Sequence, residues 1–377
     1  MSDHRAGVLP SEPAGFEPPP YPYDRLADLH KVADTCDGGA VDLSIGTPCD
    51  PPPAAAVEAL GDSGAERGYP PSVGTPAFRE AAAAWLGRRF GAAVDPAHVA
   101  ACVGTKELVA GVPQWLHLRS PGRDTVLYPH VSYPTYAMGA ILAGCRAVPY
   151  GTVDRILPDD AARALCLWVN SPANPTGELV DLGEAAAWGR RHGVPVLSDE
   201  CYIEFTWDGP GRTILAEGTD GVVALHSLSK RSNFAGARVG FYAGDPDLVH
   251  YLSEVRKHAG FMVPGPVQAA AVVAFGDDAH VEAQRQRYLR RLDLLAASLS
   301  EMGVECARPP ATFYLWVAAP DGDAWALAHR LAAGGGAVVS PGEFYGPDGV
   351  GHIRIAVVQP DDRLELVAQR LEAASRG

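Results

Sequence analysis

One lysine, Lys230, has a setting suited to covalent chemistry. The stretch 222–242, VVALHSLSKRSNFAGARVGFY, opens with an apolar run of buried-strand type and breaks into small polar residues that present Lys230. It then passes through a glycine-containing loop to Arg238 and a second apolar strand. An amine held among apolar neighbours loses stabilisation of its charged form, so its pKa falls and it becomes a nucleophile able to form a Schiff base with a carbonyl. Most single lysines are solvated, and Ser227-Leu228-Ser229-Lys230 alone carries little. Its weight comes from its company: the hydroxyls of Ser227 and Ser229, the guanidinium of Arg238, and polar groups on other segments.

Those segments differ in what they offer. In Cys102-Val103-Gly104-Thr105-Lys106-Glu107-Leu108 a strand turns into a helix. Free N–H groups at the positive end of the helix dipole make a natural phosphate seat, though GxxxxGK[ST] and GxGxxG are both absent and such a stretch by itself is more often an ordinary capped helix. Asp199-Glu200 follows an apolar run. Neighbours on a strand face opposite ways, so only one can look into a site, and a single buried carboxylate suits keeping a ring nitrogen protonated. Tyr133, beyond the strand Thr125–Pro129, can stack on a flat ligand or belong to the core. Asn174 alone reads as a turn former before Pro175. Tyr69, in GYPPSVGT, reads alone as packing on the proline pair.

The elements that must hold these groups alternate. Strand Ala164–Val169 ends in NSPANPTG, a helix covers Asp181–His192, strand Val194–Leu197 ends in SDECY, and strand Val222–Leu225 precedes the lysine. Polar residues cluster repeatedly just past strand ends, which is the doubly wound α/β plan with its site along one edge of the sheet. Thr75-Pro76 starts a helix, a cap followed by the residue best tolerated at the first helical position. Helices are expected over Tyr23–Ala33, Pro53–Leu60, Pro246–His258 and Ala279–Met302, and strands over Val41–Gly46, Phe313–Val317, Ala337–Ser340 and His352–Val358. A last helix starts at Asp361. The proline-rich residues 1–23 read as an extended arm. Residues 1–44 are expected to form that arm and part of a small domain, 45–258 a large domain, and 259–377 the small C-terminal domain.

Composition bounds the function. The 377 residues are 47% hydrophobic and 20% charged, ordinary for a globular protein of two domains. A net charge of −14, with 31 basic against 45 acidic residues, argues against nucleic acid as a partner, while a local arginine can still hold a small anion. Seven dispersed cysteines without CxxC, and histidines without HExxH, support neither disulfides nor a metal site. No apolar stretch reaches membrane-spanning length and no secretory leader pattern is seen, so a cytoplasmic location is expected.

GTKELV, SYPTY, NSPANPTG, SDECYIEF, SLSKRSNFAGARVG and RIAV, in this order between residues 104 and 357, resemble the fold type I, class I/II pyridoxal-phosphate-dependent aminotransferases. The resemblance implies an α/β fold with a mostly parallel central sheet in the large domain and a smaller α/β C-terminal domain. It implies that Lys230 carries the cofactor as a Schiff base and then moves the proton, and that Asp199 pairs with the pyridinium nitrogen. Tyr202 and Asn174 would bond the phenolic oxygen, and Tyr133 would stack on the ring. Gly104, Thr105, Lys106, Ser227 and Arg238 would hold the phosphate, joined by Tyr69 from the partner of a homodimer. Arg354 would clamp the substrate carboxylate, with Gly46 and Asn174 beside it.

LSIGTPCDPPP, GYPPSVGTPAFREA, VHYLSEVRKHAGFMVPGPVQAA and SPGEFYG are similar to the actinobacterial succinyldiaminopimelate aminotransferases, which use glutamate as amino donor in the lysine and cell-wall pathway. One departure is the short stretch Val148–Ala164, without a clear strand. Acidic substrates need a second cation, and Lys106, Arg231, Arg256 and Lys257 are the candidates, the last two expected at a solvated helix end. A same-fold aminotransferase for another amino acid (aspartate, aromatic or specialised) or a same-fold lyase or binding protein are the competing readings.

Overall fold

The computed structural model describes residues 15–376, so the first fourteen residues of the expected arm lie outside the described residues. A seven-stranded sheet forms the centre of the large body. In spatial order its strands are Val99–Cys102, Gly240–Gly244, Val222–Ser227, Val196–Asp199, Ala164–Asn170, Thr125–Pro129 and Arg146–Tyr150. Gly240–Gly244 runs antiparallel to both its neighbours and every other pairing is parallel. The inner strands Ala164–Asn170 and Val222–Ser227 are buried along their whole length, as strands covered on both faces must be. Because the parallel strands share a direction, Cys102, Asn170, Asp199 and Ser227 all end at one edge. Loops leaving that edge converge, which is what lets residues far apart in sequence build one site.

Local chemistry sets the helix boundaries. Thr75 caps the Pro76–Phe90 helix by accepting the N–H of Phe78, and Asp181 does the same for Leu182–His192 through Glu184. Pro246–His258 falls where expected, capped by Asp245.

The small body packs the helices Ala279–Glu301, Ala324–Gly335 and Asp361–Arg376 around an antiparallel sheet of Ser340–Pro341, His352–Ala356 and Tyr314–Ala318. Val41–Asp42 is all that forms of the strand expected over Val41–Gly46, and it pairs in parallel with Ala337–Val338 of this body. Leu43 still bonds the Val338 carbonyl and the Ala356 N–H, and beyond it the chain turns to pass the site.

Two other expectations change. Gly265–Gly276 is a helix that the sequence reading did not include; its Ala270, Ala271, Ala274 and Phe275 lie in the core of the large body against Phe78 and Trp85. Pro264 and Pro266 mark its start and not merely the end of the preceding helix. The stretch Val148–Ala164 contains the end of the edge strand Arg146–Tyr150 and then two short helical turns, Val153–Arg155 and Pro158–Arg163. Among the described residues no helix is long and apolar enough to cross a membrane.

Candidate active site

A cavity of about 280 Å³ opens at the carboxyl edge of the large sheet, between the two bodies. Its wall includes Gly46, Thr105, Lys106, Tyr133, Asn174, Asp199, Tyr202, Ser227, Lys230, Arg238 and Arg354. Gly104 stands immediately before Thr105, where the chain enters the Thr105–Arg119 helix. Of the residues expected to hold the cofactor or the substrate α-carboxylate, Tyr69 stands apart. It is 97% exposed and lies on another surface of the chain.

Lys230 lies one turn past a buried strand because Ser227 caps that turn, its hydroxyl accepting the N–H of Ser229 at 3.1 Å. The lysine ammonium donates to the carbonyl of Gly46. Burial pushes its pKa down to about 8; the positive charges of Arg354 and Arg238 act the same way, and the Asp199 carboxylate opposes them. Gly46 has to be glycine, since any Cβ there would run into the Tyr314 ring.

Asp199 ends its strand with its carboxylate in the cavity. Oδ2 accepts the Tyr136 hydroxyl at 2.9 Å and Oδ1 the Cys201 N–H at 3.2 Å. Burial raises its pKa in spite of these donors, so the carboxylate gains from any cation brought to it. Glu200 points the other way, as strand alternation requires. It accepts Ser198 Oγ and the Ile214 N–H, both at 2.8 Å, and lies 3.4 Å from His226. Burial lifts Glu200 to about 7 and lowers His226 to about 3, so that pair is not an ion pair near neutral pH.

Donors gather at the opposite end. Gly104 has φ +75° at the start of the Thr105–Arg119 helix, and a Cβ there would collide with the Arg238 guanidinium. The close approach of Arg238 to the helix N-terminus, with the hydroxyls of Thr105, Ser227 and Ser229 on the same wall, makes a site for an anion with several oxygens.

Arg354, on strand His352–Ala356, is 2% exposed. Nη1 donates to Asn174 Oδ1 at 2.8 Å and Nη2 to the Ser44 carbonyl at 2.5 Å. Its guanidinium carbon lies 4.2 Å from the Tyr314 ring centroid and 4.8 Å from that of Tyr345. Tyr202 and Tyr314 join through their hydroxyls at 2.9 Å. Lys106 reaches between two rings, 5.4 Å from the centroid of Tyr21 and 5.6 Å from that of Tyr133.

Three of the four candidate second cations are excluded by their partners. Arg231 is buried behind the site against Glu204 at 3.2 Å and Asp278 at 3.3 Å. Arg256 is not at a solvated helix end; it is 1% exposed and paired with Glu107. Lys257 is solvated, beside Glu254, and outside the cavity. Only Lys106 remains. The sequence reading missed Tyr136, Cys201, Tyr314, Tyr21 and Tyr23 as lining residues. Tyr136 had a signal, standing three residues after Tyr133 and so returning to the same side after one turn; Tyr21 and Tyr23 were hidden in a segment read as an arm. Among the described residues no cluster able to hold a metal is present.

The chain matches the family model for aminotransferase class I and II over residues 39–371. It is 43% identical to the 4-dedimethylamino-4-oxo-anhydrotetracycline transaminase of Streptomyces rimosus, covering 94% of this chain and 99% of that one. It is 35% identical to an LL-diaminopimelate aminotransferase of Desulforudis audaxviator, covering 94% and 95%. The solved structure of a probable N-succinyldiaminopimelate aminotransferase from Thermus thermophilus superposes with a TM-score of 0.82 at 31% identity, covering 93% and 99%. Aminotransferases of this family depend on pyridoxal phosphate and exchange an amino group between an amino acid and a 2-oxo acid. On its match over residues 39–371 and on these relatives, the chain belongs to the class I and II aminotransferase family.

Proposed function

We propose that this pyridoxal-phosphate-dependent aminotransferase takes a substrate with an α-carboxylate and a second, distant carboxylate. N-succinyl-LL-2,6-diaminopimelate is the substrate of this reading, with glutamate and 2-oxoglutarate as the other pair. The observation that carries it is the presence of two cations, Arg354 and Lys106, in one cavity with Lys230. The name of the Thermus relative supports the acylated substrate, and that of the Desulforudis relative supports a diaminopimelate without the acyl group.

The residues present fit the cofactor. A buried carboxylate with a raised pKa, an amine with a lowered one and a multi-donor anion seat are the three features that its ring nitrogen, carbonyl and phosphate require. When bound, pyridoxal phosphate supplies the carbonyl and the electron sink for amino-group exchange. In this reading Asp199 keeps the ring nitrogen protonated, and Tyr136 orients Asp199. The N–H groups of Gly104, Thr105 and Lys106 bind the phosphate together with Ser227 and Arg238. Tyr133 lies against the ring face. Asn174 has committed Oδ1 to Arg354, which leaves Nδ2 to donate to the phenolic oxygen beside the Tyr202 hydroxyl. Arg354 holds the α-carboxylate through a planar fork, next to Gly46. Lys230 Nζ, whose pKa burial lowers to about 8 so that its neutral form is within reach near neutral pH, takes and returns the proton at the substrate α-carbon.

The exposed Tyr69 supports a homodimer in which each chain offers that hydroxyl to its partner's phosphate seat. We place the division between the two bodies after Gly276 and not at 258, because the helix Gly265–Gly276 belongs to the core of the large body. A transaminase acting on a cyclic oxo compound is the second reading, favoured by the 43% identity to the Streptomyces enzyme and by the tyrosines at the mouth, Tyr21, Tyr23 and Tyr133.

The test is a half-reaction. Cofactor-loaded protein is mixed separately with glutamate, N-succinyl-LL-diaminopimelate and LL-diaminopimelate, and the visible band of the bound cofactor is followed. Loss of the band with glutamate and the succinylated compound supports the proposal. Loss with glutamate alone moves the substrate to the second reading, and loss with free LL-diaminopimelate but not its succinyl derivative overturns the acylated assignment.

A further inference from the structure

The helix that begins at the anion seat carries a carboxylate in its first turn, Glu107. Its Oε1 reaches back to the Val103 N–H at 2.9 Å, and this bond spans Gly104 in its positive-φ conformation. The carboxylate therefore has two effects of opposite sign. It satisfies the N–H of Val103, the residue just ahead of the N-cap Gly104, and fixes the turn. It also sets a negative charge beside a seat meant for a phosphate.

Arg256 answers the second effect. Its Nη1 donates to Glu107 Oε2 at 2.9 Å and its Nη2 to Oε1 at 2.5 Å, a bidentate pair. The guanidinium is boxed by aromatic rings, 4.9 Å from the Phe261 centroid and 5.1 Å from that of Trp115. Its Nε has no hydrogen-bond partner, and Glu107 is the carboxylate it pairs with among the described residues. So buried a cation, joined to one carboxylate on a different element, is costly to keep unless the pair has a task. Arg256 does not line the cavity, so any effect on the site passes through Glu107.

We propose that Arg256 is a positioning residue for the cofactor phosphate. It cancels the charge of Glu107 and clamps the carboxylate where it holds the Val103–Thr105 turn, so the N–H groups of that turn meet the phosphate without a competing anion. The inference rests on the reading of Gly104–Lys106 as the phosphate seat.

The test uses the full-length chain and the variants Arg256→Met, Glu107→Gln and the double variant. Each is stripped of cofactor and titrated with pyridoxal phosphate and, separately, with pyridoxal, which lacks the phosphate. Binding is read by tryptophan fluorescence quenching. Arg256→Met should weaken pyridoxal phosphate roughly ten- to a hundredfold, the scale of losing one interaction with a charged group, and pyridoxal less than about threefold. Glu107→Gln in the Arg256→Met background should recover most of the loss, because no uncompensated charge remains.

Equal loss of both ligands, or unchanged pyridoxal phosphate affinity in Arg256→Met, overturns the proposal. If that variant does not fold, the double variant decides. Phosphate-specific affinity within about threefold of Glu107→Gln supports the charge-cancelling role, and a much weaker one overturns it. Failure of the parent chain to bind pyridoxal phosphate more tightly than pyridoxal would remove the seat itself, a different failure from that of Arg256.

Discussion

Tyr136 donates its hydroxyl to Asp199 at 2.9 Å, from the helix Thr135–Leu142, which packs on the strands Thr125–Pro129 and Arg146–Tyr150. The bond steadies the ionised form of a carboxylate that burial disfavours. Removing the donor leaves burial less opposed, so the Asp199 pKa rises further. For Tyr136→Phe we expect the acidic limb of the kcat/KM profile to move to higher pH, with a loss of roughly tenfold or more at neutral pH, the scale of a hydrogen bond to a charged group. A pH–rate profile unchanged from the parent would contradict this role.

Lys230→Ala should lack the visible band of the bound cofactor and all transamination. In the cofactor-free parent, the amine pKa of about 8 means that labelling of Lys230 by an amine-selective reagent rises through pH 8, well below the range of an ordinary lysine. Peptide mapping of the labelled lysine across pH 6–11 gives the midpoint. A midpoint above 10 would place the amine in water and not in the wall of a closed cavity.

Gly104→Ala tests the seat from the backbone side. The residue has φ +75° and ψ 152°, a region essentially reserved for glycine, and its Cβ would displace Arg238. The backbone cost alone is about 1–3 kcal/mol. The melting temperature should fall, and pyridoxal phosphate affinity should drop by more than that of pyridoxal. Loss of stability with phosphate selectivity intact would separate Gly104 from the seat.

Arg354→Lys keeps the charge and removes the fork. A lysine cannot bond Asn174 and the Ser44 carbonyl while also presenting two parallel N–H groups to a carboxylate. KM for amino acid substrates should rise roughly ten- to a hundredfold while the absorbance of the bound cofactor stays unchanged. An altered cofactor spectrum with unchanged KM would place Arg354 in the cofactor's environment instead.

The order of elements and most of the site could be read in advance because they depend on short-range rules. Apolar runs bounded by turn residues mark buried strands, and Thr75, Asp181 and Asp245 cap helices by local bonds. Asp199 ends its strand and Lys230 and Gly104 stand just past theirs, at the edge where an α/β sheet collects function. The helix Gly265–Gly276 escaped because, Gln268 apart, its residues are apolar or small on every face, which leaves no periodic signal.

What the chain's own residues determined was therefore the strand–helix alternation, the candidate nucleophile and the chemistry its companions could supply. What only the tertiary structure decided was which charges face the cavity. Lys106 faces it, whereas Arg231 and Arg256 are buried against Glu204 and Glu107. Those pairings join residues more than twenty positions apart, 149 in the case of Arg256 and Glu107. The physical reason is that a side chain's type states what it can bind, but the energy of burying a charge depends on which partner the fold brings within reach.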